Sequence, residues 1–541
     1  MNTGFSVMAY DLFTRLHATS KYELAELSSY ISDDDPRINL LPWKVYPVIP
    51  SENNPTAKDL YNREYATSQF GALRFNDTVL DFMPDIVFSY RDYWHDEFIL
   101  RSESRKYFKY IWSVCVDSEP PRDEWLSTFA TADLLTSYTD WGLSVLNKYG
   151  NNKLNVAKTN TMPGIDMEIF KPLDKATTRK EFNVSEDVII ITTVMRNQPR
   201  KLFPNLIKSF RRVIDRLIAD GKEELASKVY LHLHTGNPDC GFDIPKEIIR
   251  YGVPHKIMVS YYCQNCKATE VATYKGDRCY CSHCAQKTSM MANTANGPDR
   301  NVLAKIYNLG NLYVQYSTAG ALEIPIVEAK ACGLPVVSME YAAPYELARL
   351  GGSYGQVSIV GWKQEGVRET SQIRAIPNDK ELEDLIYSYV NETKETRDRL
   401  SIEARNTAVL YHGADEFCNK WMALFDSIEP QDAFRWYDLP SYGHNAEDID
   451  RMSSACLKNP TNKNPIDAIS STLLDSSTFF SSYNLNNIKD LYYGNSTSPT
   501  MEMNKILDAL KTKADNHNRF ENLRFNTLCP VKTTPKIGKV L

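Results

Sequence analysis

Four cysteines in two closely spaced pairs have the spacing of a metal site. The pairs are Cys263-x-x-Cys266 and Cys281-x-x-Cys284, a pattern typical of four thiolates on a tetrahedral zinc ion. Cys279 lies just before the second pair and is an alternative ligand. Because four thiolates leave no open coordination position, the pattern predicts a structural zinc in a zinc-ribbon-like insertion over residues 260–290.

A loop and a helix further along the chain have the features of an anion site. The apolar run Leu312–Gln315 predicts a strand, a loop of small residues follows it, and a helix is expected to start near Pro325. The first turn of a helix presents backbone N–H groups and a positive dipole end, so it can bind a diphosphate. Glu328, expected in that first turn, could accept hydrogen bonds from the hydroxyl groups of a ribose.

Residues 317–337 resemble the donor-site signature of the retaining GT-B glycosyltransferases known as the group 1 family. The resemblance extends over residues 1–430. It implies a nucleotide-sugar donor (a UDP-, GDP- or ADP-sugar) bound mainly to a C-terminal domain and an acceptor bound to an N-terminal domain. It also implies hexosyl transfer with retention of anomeric configuration and without a catalytic metal. The acceptor is unknown and could be a glycan, a protein or a nucleic acid.

The same resemblance assigns donor-binding roles to residues in three segments. Arg196 and Lys201 follow the β-branched run 188–194 and correspond to the basic side chains that contact the donor phosphates in the family. Two cations there would offset the charge that grows on the leaving diphosphate. Gly4 corresponds to the small-residue loop that faces the cleft. The other donor-binding candidates are Gly320, Ala321, Leu322, Glu323 and Glu328.

The sequence departs from the family pattern at two places. Gly320 stands where the family has a glutamate that contacts the transferred sugar, and Glu323 on the same loop is a candidate to replace it. The family also has a strand before the loop at Gly4, and only three residues precede Gly4 here. The first strand of the N-terminal domain is therefore expected to be missing from the chain.

No catalytic residue is assigned by the resemblance, and three side chains are candidates. Asp92 and His95 follow the predicted strand 85–88, and Asp117 follows the predicted strand 110–114. Ligands of open α/β sheets bind beyond the carboxyl ends of the strands, so these residues are placed to meet an acceptor. Each of them could equally be a helix cap or an ordinary loop residue.

The order of the predicted elements gives an α/β fold of GT-B architecture, with two Rossmann-like domains facing a cleft. We expect an acceptor domain over 1–165, a donor domain over 166–400 with the zinc-ribbon-like insertion, and a helix over 401–430 that returns to the N-terminal domain. The Asn/Ser-rich composition of 440–541 predicts a partly disordered extension. Proline and glycine near Pro163 and Pro172 mark the boundary between the two domains.

The composition of the chain disfavours some functions. The chain has 541 residues, 43% of them hydrophobic, and a formal net charge of −6, a balance that disfavours a general nucleic-acid binder. No apolar run is long enough to span a membrane and no secretion signal is visible, so a cytoplasmic protein is expected. Two other functions remain open: a nucleotide-sugar-binding protein without transfer activity, and a nucleic-acid-binding protein built around the zinc ribbon. The oligomeric state is unknown.

Overall fold

The computed structural model describes residues 4–293, 296–365, 372–429, 431 and 538–540 of the chain. The chain divides into two compact units, of which the first comprises Met1–Arg105, Lys109–Ile428 and Gly538–Leu541. The second comprises Lys106–Phe108 and Glu429–Ile537. The helices and strands below belong to the first unit. The extension expected over 440–541 lies outside the described residues, except for 538–540.

The N-terminal part of the first unit alternates helices with short buried strands. Its strands are β1 (Tyr22–Ser32), β2 (Lys44–Ile49), β3 (Ile86–Ser89), β4 (Lys109–Val114) and β5 (Leu134–Ser137). Its helices are α1 (Gly4–Ala18), α2 (Pro55–Arg63), α3 (Tyr65–Ser68), α4 (Phe75–Phe82), α5 (Tyr93–Leu100), α6 (Asp123–Phe129) and α7 (Asp140–Gly150). Strands β3 and β5 are buried along their whole length, as expected for parallel strands covered on both faces.

The C-terminal part repeats this alternation around a larger sheet. Its strands are β6 (Ile189–Val194), β7 (Val229–His234), β8 (Ile257–Cys263), β9 (Thr269–Thr273), β10 (Arg278–Cys279), β11 (Ser289–Met291), β12 (Leu312–Val314), β13 (Val336–Met339), β14 (Ser353–Val357), β15 (Ile359–Gln364) and β16 (Ile373–Pro377). Its helices are α8 (Lys175–Glu181), α9 (Phe203–Ala219), α10 (Glu223–Lys228), α11 (Ile244–Arg250), α12 (Arg300–Leu309), α13 (Ile324–Ala331), α14 (Ala342–Arg349), α15 (Asp379–Asn391), α16 (Lys394–Tyr411) and α17 (Ala414–Ser427).

The two large sheets have the topology of Rossmann-like domains. The C-terminal sheet has the order β10-β11-β8-β7-β6-β12-β13-β14, with β9 paired to β8, and β15 and β16 form a separate hairpin. Strands β6, β7, β12 and β13 pair in parallel. A change of strand order on the two sides of β6 creates a crevice at the carboxyl ends of β6 and β12, where open α/β sheets bind ligands.

A strand at the far end of the sequence fills the position that was expected to be empty in the N-terminal sheet. Strand β17 (Gly538–Val540) lies between β1 and β3 in the order β2-β1-β17-β3-β4-β5 and pairs with both in parallel. This is the central place that the first strand takes in a doubly wound sheet. The expectation of a missing strand is thus corrected, because chain segments distant in sequence can occupy neighbouring positions in a sheet.

The chain crosses between the two sheets twice at one point. Ile165 donates its N–H to the carbonyl of His412 at 2.9 Å, and the N–H of Ala414 returns to the carbonyl of Ile165 at 3.2 Å. Helix α17 then packs on the N-terminal sheet, with the ring of Trp421 centred 4.8 Å from that of Phe88. Burial of such a side chain is worth roughly 1.5–3 kcal/mol, so this helix is held firmly on the N-terminal sheet.

Each sheet is stabilised by its own hydrophobic core. One core surrounds β6, β7 and α9, and the other joins α1, β1 and β3 to α17. Within the part of the chain that the structure describes, no helix has both the length and the apolar character needed to cross a membrane.

Candidate functional site

The crevice between β12 and α13 has a positive character supplied by a helix and two basic side chains. Helix α13 begins at Ile324, and no side chain caps its first turn. Lys201 and Arg200, from the loop after β6, both contact the carboxylate of Glu323, which precedes this helix. Arg200 also donates to the carbonyl of Ala319 at 3.0 Å. The helix dipole and the two cations act together at the carboxyl edge of the sheet.

Lys201 is almost completely buried beside Glu323. Its side chain is 4% exposed, and burial followed by repulsion from Arg200 lowers its pKa to about 8. The ion pair with Glu323 opposes this shift, so the ammonium group is still mostly protonated at neutral pH. Sequence reasoning identified Lys201 but missed Arg200, which lies next to it in the chain.

The loop before α13 brings Glu323 into the space beside Gly320. A Cβ atom added at Gly320 would lie 2.3 Å from Oε1 of Glu323, so the glutamate fills the volume that a side chain at position 320 would need. Gln315 donates its Nε2 to Oε2 of Glu323 at 2.9 Å. Three side chains, Lys201, Arg200 and Gln315, thus hold the Glu323 carboxylate at the bottom of the crevice. Ala321 and Leu322 are half-buried against the N-terminal core.

Glu328 lies in the second turn of α13, not in the first turn as the sequence predicted. Its carboxylate accepts a hydrogen bond from the Tyr307 hydroxyl at 2.8 Å. Burial raises the pKa of Glu328 to about 7, and this hydrogen bond partly opposes the increase. Tyr307 is a partner that sequence reasoning missed, because it belongs to α12 and reaches the site only through tertiary packing.

Arg196 does not join Lys201 at the start of α13 in this structure. Its guanidinium group forms an ion pair with Asp239, with Nε 3.0 Å from Oδ2, and its side chain is half exposed. The neighbouring Asn197 is buried and donates to the carbonyl of Phe242 at 2.6 Å. The loop after β6 is thereby tied to the loop after β7, and Arg196 lies along that junction.

The candidates of the N-terminal sheet lie on the other side of the cleft. Asp92 is half-buried, and its pKa is raised to about 6, first by burial and then by the nearby negative charge of Asp117. The cation of Arg200 lowers the pKa of Asp92, which places this carboxyl group within electrostatic range of the donor crevice. The thiol of Cys115 lies close to Asp92 and donates to Tyr138 at 3.6 Å.

Asp117 and His95 are held by neighbours of very different kinds. Asp117 forms an ion pair with Arg374 of β16 at 2.6 Å, which bridges the cleft. His95 instead packs against Phe70, with ring centroids 4.1 Å apart, and meets Phe5 edge to face. Burial lowers the pKa of His95 to about 4, so the ring is neutral at pH 7.

Further contacts hold the two sheets against each other around the cleft. Asp11 of α1 and Arg300 of α12 form a bidentate ion pair with both distances 2.8 Å. Glu346 accepts the backbone N–H groups of Asp140 and Trp141 at the start of α7, at 3.0 and 2.7 Å. Gly4 begins α1, the helix that carries Asp11. None of these pairings is visible in the sequence, because every partner is far away along the chain.

The four paired cysteines converge on one point in the insertion. The Sγ atoms of Cys263, Cys266, Cys281 and Cys284 all lie within 4.8 Å of one another. The distance from Cys263 to Cys284 is 3.6 Å, close to the edge of about 3.8 Å expected for a tetrahedron with Zn–S bonds of about 2.3 Å. Cys279 is outside this group and buried against the core of the C-terminal sheet. The donor set therefore fits a zinc ion.

Comparison with known proteins gives one sequence relative of limited extent. The chain is 31% identical over 116 residues to the D-inositol 3-phosphate glycosyltransferase of Kribbella flavida. The matched stretch is 21% of this chain and 26% of the length of that relative. No protein-family model matches the chain.

Solved structures are similar over most of the chain. The sucrose-phosphate synthase of Thermosynechococcus elongatus has a TM-score of 0.52 at 15% identity, covering 78% of this chain and 93% of that one. HepE from Anabaena, in complex with UDP and glucose, has a TM-score of 0.52 at 13% identity, covering 79% and 97%. A glycosyltransferase from Rickettsia africae has a TM-score of 0.51 at 11% identity, covering 77% and 93%. The chain therefore has the GT-B glycosyltransferase fold.

Proposed function

We propose that this protein is a glycosyltransferase that moves a sugar from a nucleotide-sugar donor to an acceptor with retention of anomeric configuration and without a catalytic metal. The observation that carries the proposal is the convergence of Arg200, Lys201 and the start of α13 at one crevice of a GT-B fold. Such a convergence suits a nucleotide diphosphate, whose charge grows as the sugar leaves. Support also comes from HepE, which was solved with UDP and glucose.

Each part of the donor has its own partner in the protein. Lys201 and Arg200 contact the diphosphate, and the N–H groups of the first turn of α13 donate to it. Glu328 accepts hydrogen bonds from the ribose hydroxyls while Tyr307 fixes its orientation. Glu323 lies where it would meet the transferred sugar, in the space left by Gly320. Arg196 leaves its ion pair with Asp239 and contacts phosphate oxygens of the donor instead.

The acceptor is assigned to the N-terminal side of the cleft. Asp92 accepts a proton or a hydrogen bond from an acceptor hydroxyl, a role supported by its raised pKa of about 6, which is close to neutral pH. Asp117 takes a positioning role through its ion pair with Arg374, which fixes how far the cleft closes. Closure excludes water and so limits hydrolysis of the donor.

Thermal unfolding in the presence of UDP-, GDP- and ADP-sugars tests the donor assignment. A donor at 100 times its dissociation constant adds about 2.7 kcal/mol to the free energy of unfolding, so one nucleotide should raise Tm clearly above the others. The combined variant R200A/K201A/E328A should lose that increase, whereas K171A, on an exposed loop, should keep it. An unchanged increase in the triple variant contradicts the proposed donor site.

A second function, nucleotide-sugar binding without transfer, is favoured by the glycine at position 320. Following release of the nucleoside diphosphate from the stabilising donor, with and without candidate acceptors, separates the two functions. Turnover supports the glycosyltransferase, whereas tight binding with no release over many hours supports the binding protein.

We also propose that the cysteine cluster holds one structural zinc ion. Four thiolates would complete a tetrahedral shell and leave no position for a substrate. Metal analysis of the purified chain should give one zinc per chain, and the double variant C263S/C281S should give none. The variant C240S, whose thiol belongs to the loop after β7 and not to the cluster, should keep the full zinc content.

A further inference from the structure

The zinc-ribbon insertion begins as a direct continuation of the C-terminal sheet. Strand β8 pairs in parallel with β7 up to Val259, opposite Leu233. It then continues beyond the end of β7 to Cys263, the first cysteine of the metal cluster. The cluster is thus attached to the carboxyl edge of the sheet by an unbroken strand.

The chain returns from the cluster along the same strand and ends against the loop after β7. Strand β11 runs antiparallel to β8, with Ser289 opposite Cys263, and the N–H of Ala292 donates to the carbonyl of Ser260 at 2.8 Å. Asn293 then meets Gly236: a Cβ atom added at Gly236 would lie 2.7 Å from Cβ of Asn293 and 3.4 Å from its Cα. We call Ala292 and Asn293 the ribbon return.

The ribbon return rests on a rigid, uncharged support. Ser260 makes hydrogen bonds of 2.9 Å to Nε2 of His232 and to Nδ1 of His234. Burial lowers the pKa of these two histidines to about 3 and about 4, so both rings are neutral at physiological pH. The position of Ser260 is therefore fixed by the sheet, and Ala292 is joined to it by one backbone hydrogen bond.

Gly236 connects the ribbon return to the loop that carries the basic residues. Its carbonyl accepts Nδ2 of Asn197 at 3.4 Å, and Arg196 is the residue before Asn197. The N–H of Met195 also donates to the carbonyl of His234 at 3.3 Å. Direct hydrogen bonds thus connect Gly236 and its neighbour His234 to the loop that ends in Lys201.

The chain beyond the ribbon return leads to the other half of the donor site. Asp299 accepts the N–H of Val302 at 2.9 Å and so begins α12. The same helix carries Arg300, anchored on Asp11, and Tyr307, which donates to Glu328. Direct contacts therefore connect the ribbon return to the basic loop. The next helix in the chain carries Tyr307, the partner of the proposed ribose-binding carboxylate.

We infer that zinc in the ribbon sets the geometry of the donor site through the contact between Asn293 and Gly236, so that zinc and nucleotide bind cooperatively without touching each other. The inference rests on the proposed nucleotide site and goes beyond it by giving the insertion a role in donor binding. Without the metal, β11 is held to β8 by its backbone pairing alone. The ribbon then loses its metal bonds at the cluster, and the ribbon return is held less tightly.

Thermodynamic reciprocity gives a direct test on the full chain. If zinc strengthens nucleotide binding by a certain factor, nucleotide must strengthen zinc binding by the same factor. Zinc affinity is measured by competition with a chromogenic chelator, alone and with saturating UDP, GDP or ADP. We expect the nucleotide that binds the chain to strengthen zinc binding at least about tenfold, and a change of less than twofold overturns the inference.

The variant G236A separates this coupling from a general effect of folding. Its methyl group pushes the ribbon return away while all four cysteines remain, so we expect full zinc content and a coupling factor reduced to about one. The matched control G361A, where the nearest atom is 3.7 Å from the added Cβ, should keep the wild-type factor. Retention of the full factor in a folded, zinc-loaded G236A chain overturns the inference.

The outcomes also distinguish this inference from the proposed function. A wild-type chain that binds none of the three nucleotides contradicts the proposed function, and the inference fails with it. A chain that binds nucleotide equally well with and without zinc contradicts the inference alone. A purified wild-type chain that holds no zinc overturns it as well.

Discussion

Gly320 and Glu323 lie side by side in the loop before α13. The glycine leaves a space that the side chain of Glu323 enters, to within 2.3 Å of where a Cβ at position 320 would lie. There the carboxylate is held by Lys201, Arg200 and Gln315. A carboxylate is therefore present in this crevice although position 320 carries no side chain.

This arrangement predicts partial rescue of a damaged site by exchange of the two residues. E323G removes the carboxylate and leaves the buried Lys201 without its partner, so we expect transfer to fall about 100-fold, or about 2.7 kcal/mol of barrier. G320E/E323G returns a carboxylate to the crevice, and its transfer rate should be at least about ten times that of E323G. Initial rates of nucleoside diphosphate release provide the measurement. A double variant no better than E323G would show that Glu323 acts only as a structural partner.

The raised pKa of Glu328 predicts that donor binding weakens in acid. The carboxyl group must be ionised to accept two ribose hydroxyls, and its pKa of about 7 means that it holds a proton below neutral pH. Affinity for a nucleotide sugar, whose diphosphate does not titrate near pH 7, should be constant above pH 8 and fall about tenfold per unit below pH 6. Calorimetric titration over this range checks the slope. The variant E328Q should bind more weakly with no such slope, and a slope that persists in E328Q contradicts the assignment.

The same shift has a consequence for the unliganded protein. Glu328 binds its proton more tightly in the folded chain than at its ordinary pKa of 4.5. Between pH 4.5 and 7 the folded state therefore holds more protons than the unfolded state, and this group lowers the stability as pH rises through that window. As pH rises, ionisation of Glu328 thus lowers the stability of the unliganded chain and strengthens the binding of the donor.

The sequence predicts residues of the proposed site only where they belong to a motif within a short segment. The paired cysteines, Lys201 and Glu328 follow from motifs within short segments. Arg200 is not among the predicted residues although it adjoins Lys201, and neither is Tyr307, because its partner Glu328 lies on another helix. The sequence predicts Asp117 just after a strand of the N-terminal sheet, but its ion pair with Arg374 joins positions that only the folded chain brings together.

At the scale of elements, the buried parallel strands were the clearest signals. Apolar runs predicted strands over 85–88, 110–114 and 188–194, and the structure has β3, β4 and β6 there, within one residue at each end. Such strands are buried on both faces, so they form continuous hydrophobic runs. The three residues of β17 carry no comparable signal, because a short strand is stabilised by its two neighbours in the sheet and not by its own sequence.

The crossing of the two interdomain segments depends on a glycine. A Cβ atom at Gly164 would lie 2.2 Å from the carbonyl oxygen of Gly413 and 2.4 Å from its carbon. Both are backbone atoms that cannot rotate away, so G164A should separate the segments and break the hydrogen bond from Ile165 to His412. We expect the free energy of unfolding to fall by about 1–3 kcal/mol.

The facing glycine provides a matched control for this prediction. A Cβ atom at Gly413 meets nothing within 4 Å, so G413A should unfold at the same denaturant concentration as the wild-type chain. Urea denaturation of the two variants provides the comparison. Equal midpoints for G164A and G413A would mean that the close approach has no energetic consequence.

At the scale of the whole molecule, the two sheets of the first unit are joined through charges that lie around the cleft. Arg300 reaches Asp11 on one side, and Arg374 reaches Asp117 on another. These ion pairs are partly or fully buried, so breaking one partner leaves an uncompensated charge. Any opening of the cleft must therefore break these two ion pairs and expose their charges to water.

The position of β17 makes the N-terminal sheet dependent on the end of the sequence. Val540 pairs with Leu24 of β1 on one side and with Ile86 of β3 on the other. Proline at position 540 has no N–H group to donate in the sheet, and its ring disturbs the parallel pairing on both sides. We expect V540P to lower the free energy of unfolding by at least about 2 kcal/mol, measured by urea denaturation. V540A keeps the N–H group and should lose clearly less, and equal stability of V540P and the wild-type chain would show that β17 contributes nothing to the sheet.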